Sequence, residues 1–318
     1  MLIQNPPVQV TDHLWMLGTN AYPLFLYRSE GGCTIFEGGV GAMGPLLLEQ
    51  LDALSVPRDS VRQVVVTHAH PDHVMAVPLF RQAFPGISVL ASAAAAKTLS
   101  IEKAVGFFAK IDGLLTQSLL AAGLVAERHR PQPLAAPQIA VDRILKEGDA
   151  VAVGGGVAFQ VLETPGHSDG DLSCFEPGEK VLVLSDATGY YEPPAGCEPA
   201  GGCGGWWWPN YFADYAAYLR SMERLAGLGA RVLCLSHNGV IAGAEFAAAY
   251  LRDAIAATVA YHQRIVAEAR AGKAPEQLAA ELGAEVFART QLLPLDFFQK
   301  NCAQLVKQSL RHAGMAEA

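Results

Sequence analysis

The chain has 318 residues and a formal net charge of −8, with 51% hydrophobic and 17% charged residues. Such a composition supports a large core and excludes disorder, and the acidic balance argues against a general nucleic-acid or membrane-surface binder. No stretch reaches the ~18 apolar residues of a membrane span, no secretory leader pattern opens the chain, and the scattered cysteines do not form a disulfide framework; a soluble, cytoplasmic protein is expected.

In chain order, apolar runs at 8–10, 14–17, 24–27 and 34–36, separated by turn residues, read as a meander of strands. Glu37-Gly38-Gly39 follows the last of them. A helix at 46–54 leads to Val64-Val65-Val66, a β-branched run that reads as a buried strand. His68-Ala69-His70-Pro71-Asp72-His73 leaves that strand on a loop, with Pro71 suited to the first turn of a helix from about 72 to 83. A strand at 87–90 comes next. Residues 92–125, rich in Ala and Leu, read as one or two helices longer than a plain connection needs. They form either a wall of a substrate pocket or a packing element.

Further strands are predicted at 141–145, 150–153, 157–162, 172–175 and 181–184. Residues 188–210 then gather Gly, Pro, Cys197, Cys203, Tyr190, Tyr191 and Trp206-Trp207-Trp208. A helix at about 211–228 and a strand at 232–235 follow. Residues 244–318 are helical in pattern, with Phe246, Leu251, Ile255, Val259, His262 and Val266 on one face and breaks at Gly272 and Pro275. The pattern predicts a main domain over 1–243, which would carry any active site, and a helical extension over 244–318.

Four strand exits carry ligand-type residues. His68, His70, Asp72 and His73 follow the strand at 64–66, His167 follows 157–162, Asp186 follows 181–184 and His237 follows 232–235. Loops at one edge of a rigid sheet are where such scaffolds bring side chains together. Three imidazoles and a carboxylate within six residues make poor core material and good ligands for a borderline divalent metal. Alone, Asp186 or His237 would read as a turn residue; the set gives them meaning.

The set resembles that of the metallo-β-lactamase superfamily. The family's His-x-His-x-Asp-His motif stands at 68–73, its Gly-His element in Thr164-Pro165-Gly166-His167, its bridging acid at Asp186 and its last histidine at His237, so that the likeness covers 8 to about 240. The resemblance implies an α/β (α+β) fold, a four-layer αββα sandwich with a C-terminal helical extension. It implies two divalent ions, zinc first, with iron or manganese as competitors. His68, His70 and His167 would hold one, Asp72, His73 and His237 the other, and Asp186 would bridge them. Open positions mark a catalytic site. A shared hydroxide, its pKa drawn toward ~7 by the ions, would attack a carbonyl, with Asp72 and Asp186 as catalytic residues and Asp72 able to carry a proton. The chain departs from the family at Val74-Met75, where many members have Gly-Gly, and at Ser185, where glycine is usual.

The chain is also similar to the PqsE-like thioesterases, in Pro23-Leu24-Phe25-Leu26, Phe36-Glu37-Gly38-Gly39 and Gly166-His167-Ser168-Asp169 among other stretches. That resemblance implies hydrolysis of an acyl-CoA-like thioester. A lactonase or other ester or phosphodiester hydrolase, and a metal-bearing regulatory or binding protein with low turnover, remain alternatives. The 188–210 loop follows Asp186 and should hang over the metals, so Tyr190, Tyr191 and Trp206 are candidates to wall an apolar acyl group. At least one tryptophan is expected to plug the gap to the helical tail, since successive side chains point different ways.

Lys97, Lys103 and Lys110 are candidates for a coenzyme A phosphate. Cys197 and Cys203 are expected to be free thiols and His262 a satisfied core histidine, while His13, His129 and His312 receive no role. The expected partner is a small-molecule ester or thioester, with no nucleic acid or membrane. The apolar tail offers a face for a homodimer.

Overall fold

A computed structural model describes residues 1–134, 136–194 and 205–315, so that Cys197 and Cys203 lie outside the described residues. Strand β1 (Leu2–Ile3) sits at the edge of a seven-stranded sheet that the chain completes much later. The other seven-stranded sheet is laid down first, in sequence order: β2 (Val8–Gln9), β3 (Leu14–Gly18), β4 (Pro23–Ser29), β5 (Gly32–Phe36), β6 (Val61–Val65), β7 (Ser88–Ser92) and β8 (Arg143–Leu145). Its first half is antiparallel, as the turn-separated runs predict, and β5 to β8 are parallel. Helices α1 (Met43–Ala53), α2 (Val77–Ala83), α3 (Ala93–Leu99) and α4 (Glu102–Ala121) supply the crossovers that parallel pairing requires.

The second sheet adds β9 (Ala150–Gly154), β10 (Val157–Glu163), β11 (Leu172–Glu176) and β12 (Val181–Ser185). A separate hairpin, β13 (Tyr190–Glu192) with β14 (Trp206–Trp208), precedes helix α5 (Tyr215–Ala226), and β15 (Val232–Leu235) and β16 (Val240–Ala242) close the sheet against β1. β12 and β15 are parallel, and β10, two antiparallel steps from β12, runs the same way. The exits of β10, β12 and β15 therefore share one edge. Helices α6 (Ala244–Arg270), α7 (Pro275–Thr290) and α8 (Leu295–His312) end the chain.

Three apolar clusters define four layers. Between the sheets, Phe25, Phe36 and Val65 meet Phe159, Val161 and Cys174, all buried, and the rings of Phe36 and Phe159 lie 4.5 Å apart. The outer face of the first sheet, with Leu24, Ile35, Val64 and Val66, packs on Leu47 of α1, Phe80 of α2 and Phe108 of α4. The outer face of the second, with Leu182, Leu184 and Leu233, packs on Leu225 of α5 and Tyr250 and Leu251 of α6. The order is helix, sheet, sheet, helix. α6 is thus part of an outer layer, while α7 and α8 pack tightly on each other and extend the cluster that holds α4.

Two predicted helices begin later than the sequence suggests. Residues 71–73 form one 3-10 turn, and α2 starts only at Val77, because the backbone between bonds to a neighbouring loop. The N–H groups of Met75 and Ala76 donate to the carbonyls of Gly39 and Gly38, and that of Gly38 donates to His73, at 2.8–3.0 Å. The helix predicted from 211 starts at Tyr215, where Asp214 caps it by accepting from Ala217 N–H at 2.6 Å. Residues 92–125 are two helices, α3 and α4.

Candidate metal centre

The seven sequence-predicted ligands meet at the edge where β6, β10, β12 and β15 end. His68 Nε2 and His167 Nε2 lie 3.0 and 2.9 Å from His70 Nδ1, and Asp186 Oδ2 lies 3.3 Å from His167 Nε2. Beside this group, Asp72 Oδ2 stands 3.7 Å from His73 Nε2 and 3.6 Å from His237 Nε2. Asp186 Oδ1 is 3.7 Å from both of those nitrogens. One carboxylate therefore faces both groups, and within each group the ligand atoms lie within 4.8 Å of one another.

The ring partners fix which nitrogens face inward. His73 Nδ1–H donates to Glu37 Oε2 at 2.7 Å, His167 Nδ1–H to the Asn210 carbonyl at 2.8 Å, and His237 Nδ1–H to the Ala21 carbonyl at 2.9 Å. Each partner can only accept, so in the neutral ring the lone pair is on Nε2, directed into the centre. This is the outer-shell arrangement that prepares histidine for a metal. His73 Nε2 and Asp186 Oδ1 are buried without any hydrogen-bond partner among the described residues. Left that way they would carry an unrepaid desolvation cost; a divalent cation in the group that holds His73, where the two atoms lie 3.7 Å apart, would satisfy both. The donor set, imidazole and carboxylate without thiolate, suits zinc, iron or manganese.

The electrostatics agree. Burial, reinforced by neighbouring histidines, holds His68 far below the usual imidazole range and His70 at about 3, so both are neutral imidazoles. Burial opposes charge on His73, yet Glu37, Asp72 and Asp186 outweigh it and raise its pKa to about 10. Those acids create a potential that favours positive charge at this point. Burial likewise opposes ionisation of Asp186, but His167, His73 and His237 prevail and keep it a carboxylate.

Sequence reasoning passed over several members of the supporting shell. Asp171, 1% exposed, accepts from Ser168 N–H at 2.6 Å and from Ser168 Oγ at 2.8 Å, and burial pushes its pKa up to about 6. The three-residue spacing of Ser168 and Asp171 was the available signal. Tyr218 O–H donates to the Asp186 carbonyl at 3.1 Å. The Asn210 and Ala21 acceptors are backbone carbonyls, which no residue type announces.

A cavity of about 480 Å³ opens onto the ligands. Tyr22, Tyr190, Trp208 and Phe212 flank the metal end, α4 contributes Phe107, Phe108, Ile111 and Leu115, and α7 and α8 with their connection contribute Leu292, Leu293, Phe297 and Phe298. The 92–125 segment is therefore both a packing element and a cavity wall.

Of the three aromatic residues predicted to bind substrate, Tyr190 lines this cavity; Tyr191 and Trp206 do not. Strand alternation explains Tyr191, which pairs with Trp207 across the hairpin and stacks with it at 4.4 Å, facing Tyr250. Trp206 lies at the hairpin's far end, under Arg289 at 5.0 Å. Trp208 takes the wall position, 7% exposed and 5.7 Å from Phe298, where it also fills the gap to the tail.

Lys97, Lys103 and Lys110 are exposed on α3 and α4 and lie outside the cavity lining. The cation that lines it is Lys300, paired with Asp296 at 2.9 Å. His262 is not the satisfied core histidine expected: it is half-buried and stacks on Tyr215 at 4.0 Å beside His312, and its Nδ1 has no hydrogen-bond partner among the described residues. His129 contacts Glu49 at 3.0 Å and His13 contacts Glu179 at 2.7 Å, both far from the ligands in sequence and without contact to them.

The sequence model of the metallo-beta-lactamase superfamily matches residues 18–237. Among curated proteins, the chain is 27% identical over 246 residues to a hydroxyacylglutathione hydrolase of Fuscovulum blasticum, covering 76% of this chain and 74% of that one. Among solved structures, a metallo-beta-lactamase family protein of Thermus thermophilus superposes with a TM-score of 0.61 at 24% identity, over 96% of this chain and 95% of that one. The metallo-beta-lactamase MIM-1 of Novosphingobium pentaromativorans gives 0.55 at 22%, over 84% of this chain and 92% of that one. At these identities the two structures speak for the fold alone.

Proposed function

We propose that this chain, which belongs to the metallo-β-lactamase superfamily, is a hydrolase that uses two divalent ions, zinc foremost, to cleave thioesters with an apolar acyl group. One observation carries the reading: of the seven clustered ligand residues, five (His70, Asp72, His167, Asp186 and His237) line a cavity walled by aromatic and aliphatic side chains. The likeness to a hydroxyacylglutathione hydrolase supports a thioester over other carbonyl substrates.

Divalent ions at such a centre supply a Lewis acid and lower the pKa of water toward ~7. The residues do the rest. His68, His70 and His167 would hold one ion and Asp72, His73 and His237 the other, and the Asp186 carboxylate faces both groups. Asp72 is half-buried, at the junction of centre and cavity. It takes up a proton as water adds to the carbonyl and releases it toward the leaving thiolate. The rings of Tyr22 and Tyr190 stand 5.4 and 5.9 Å from that of His237 and exclude bulk water from this end. Burial raises the pKa of both phenols, which therefore stay neutral.

The cavity wall favours an apolar acyl group over a charged one. Among the described residues Lys300 is the one Lys or Arg of the lining, and it is largely exposed, so the wall offers little to pair with a negative charge on the acyl group. A turnover panel tests the reading: acyl-CoA thioesters of increasing chain length, lactoylglutathione, acyl-homoserine lactones and a phosphodiester. The expected result is kcat/KM about tenfold or more higher for apolar acyl thioesters than for lactoylglutathione. Turnover confined to lactones or phosphodiesters would contradict the thioester assignment.

A further inference from the structure

Ser185, the last residue of β12, has φ 55° and ψ −149°. That is a backbone conformation open to glycine and strained for any residue with a Cβ. Its register against β15 is also broken here, between Val183 and Ser185. A side chain kept at such a position needs a reason.

The hydroxyl supplies one. Ser185 Oγ is buried, 3.1 Å from His68 Nδ1 and 2.9 Å from Thr67 Oγ1. Thr67 Oγ1 in turn lies 2.9 and 3.0 Å from the two oxygens of Glu37. The Glu37 carboxylate accepts from His73 as well. Donors and acceptors then order themselves: Thr67 O–H donates to Glu37, Ser185 O–H donates to Thr67, and the remaining lone pair of Ser185 accepts from His68 Nδ1–H. Thr67 Oγ1, at 3.4 Å, and Asp171 Oδ1, at 3.8 Å, also lie near that nitrogen, both farther than the Ser185 hydroxyl.

We propose that Ser185 is a positioning residue whose hydroxyl holds His68 with Nε2 toward the first ligand group. It thereby ties His68 to the same Glu37 carboxylate that orients His73 in the second group. One buried acid thus orients a histidine on each side of Asp186, directly at His73 and through two hydroxyls at His68. The role rests on the metal-binding reading of the site and is independent of the substrate.

Glycine and alanine separate this role from simple stabilisation. Ser185→Gly removes the hydroxyl and relieves the backbone; Ser185→Ala removes the hydroxyl and keeps the strain. The test measures the melting temperature of each metal-free protein and its zinc affinity by competition with a chromophoric chelator. The glycine variant should melt above the alanine variant, while both lose zinc affinity at one of two sites by the same factor, about ten- to a hundredfold. A glycine variant that binds both zinc ions as tightly as the wild type would overturn the proposal, since affinity would then follow backbone fit and not the hydroxyl. A wild-type protein that takes up no zinc would overturn the metal reading and this role with it.

Discussion

Gly166 packs so closely on Tyr218 that a Cβ at 166 would stand 2.3 Å from both the Tyr218 nitrogen and Cα. The contact places His167, the next residue, against the start of α5, and the Gly166 carbonyl accepts from Ala213 and Asp214 at 3.0 and 3.1 Å. Gly166 also has φ 133°, which an L side chain rarely adopts. Gly166→Ala should therefore cost about 2–4 kcal/mol of stability, read by urea denaturation, and should weaken metal retention by moving His167. A variant with unchanged stability would show that this packing yields freely.

The sandwich interior makes a second prediction. Phe159 is fully buried between the sheets, 5.1 Å from Tyr27 and 4.5 Å from Phe36, ring to ring. Phe159→Ala leaves a cavity that neither sheet can close, and should lower stability by about 3–5 kcal/mol. The ligands sit on the exits of the same strands, so the loss should appear in the metal-free protein as well.

A third concerns pH. Asp112, 5% exposed on α4, accepts from Gly41 N–H at 2.6 Å. Burial, aided by Asp72 and opposed by the Gly41 bond, pushes its pKa from the usual 3.8 to about 6. A folded pKa above the unfolded one means stability that is fully present below pH 4 and lost as pH rises through 6. At neutral pH the ionised form costs about 3 kcal/mol, from roughly two units at 1.36 kcal/mol each. Asp112→Asn keeps an acceptor for Gly41 without the charge. Its melting temperature should exceed the wild type's clearly at pH 8 and little at pH 4. An equal difference at both pH values would contradict the assignment.

The cavity wall gives a fourth. Phe107 lines the cavity yet is 54% exposed, so its replacement perturbs the core little. Phe107→Asp should raise KM for an apolar acyl thioester about tenfold, with kcat and metal content unchanged, as expected for lost uniform binding. A fall in kcat with KM constant would place the acyl group elsewhere.

The strand exits and the His-rich loop were legible because both rest on local signals: β-branched runs, turn residues and an unusual crowding of imidazoles. The four layers were what the resemblance to the superfamily implied, not something the alternation of residues showed. What sequence did not reveal depends on tertiary contact. The start of α2 is delayed by Gly38 and Gly39, which are distant in sequence, and the acceptors of His167 and His237 are backbone carbonyls. The tryptophan that lines the cavity was decided by hairpin register, which set Trp208 and not Trp206 opposite Tyr190. Ser185 stood out as a departure from the family pattern, but its hydroxyl contact with His68 spans 117 residues.

The Asp186-centred cluster is proposed to hold two divalent ions and to perform hydrolysis. Elemental analysis of the wild type and of Asp186→Asn, each followed by acyl-CoA thioester turnover, tests it most directly. About two metal ions per chain with thioester cleavage in the wild type, and loss of both metal and cleavage in the variant, is the predicted result. Wild-type protein that retains no divalent metal, or a variant that keeps full metal content and activity, would contradict it.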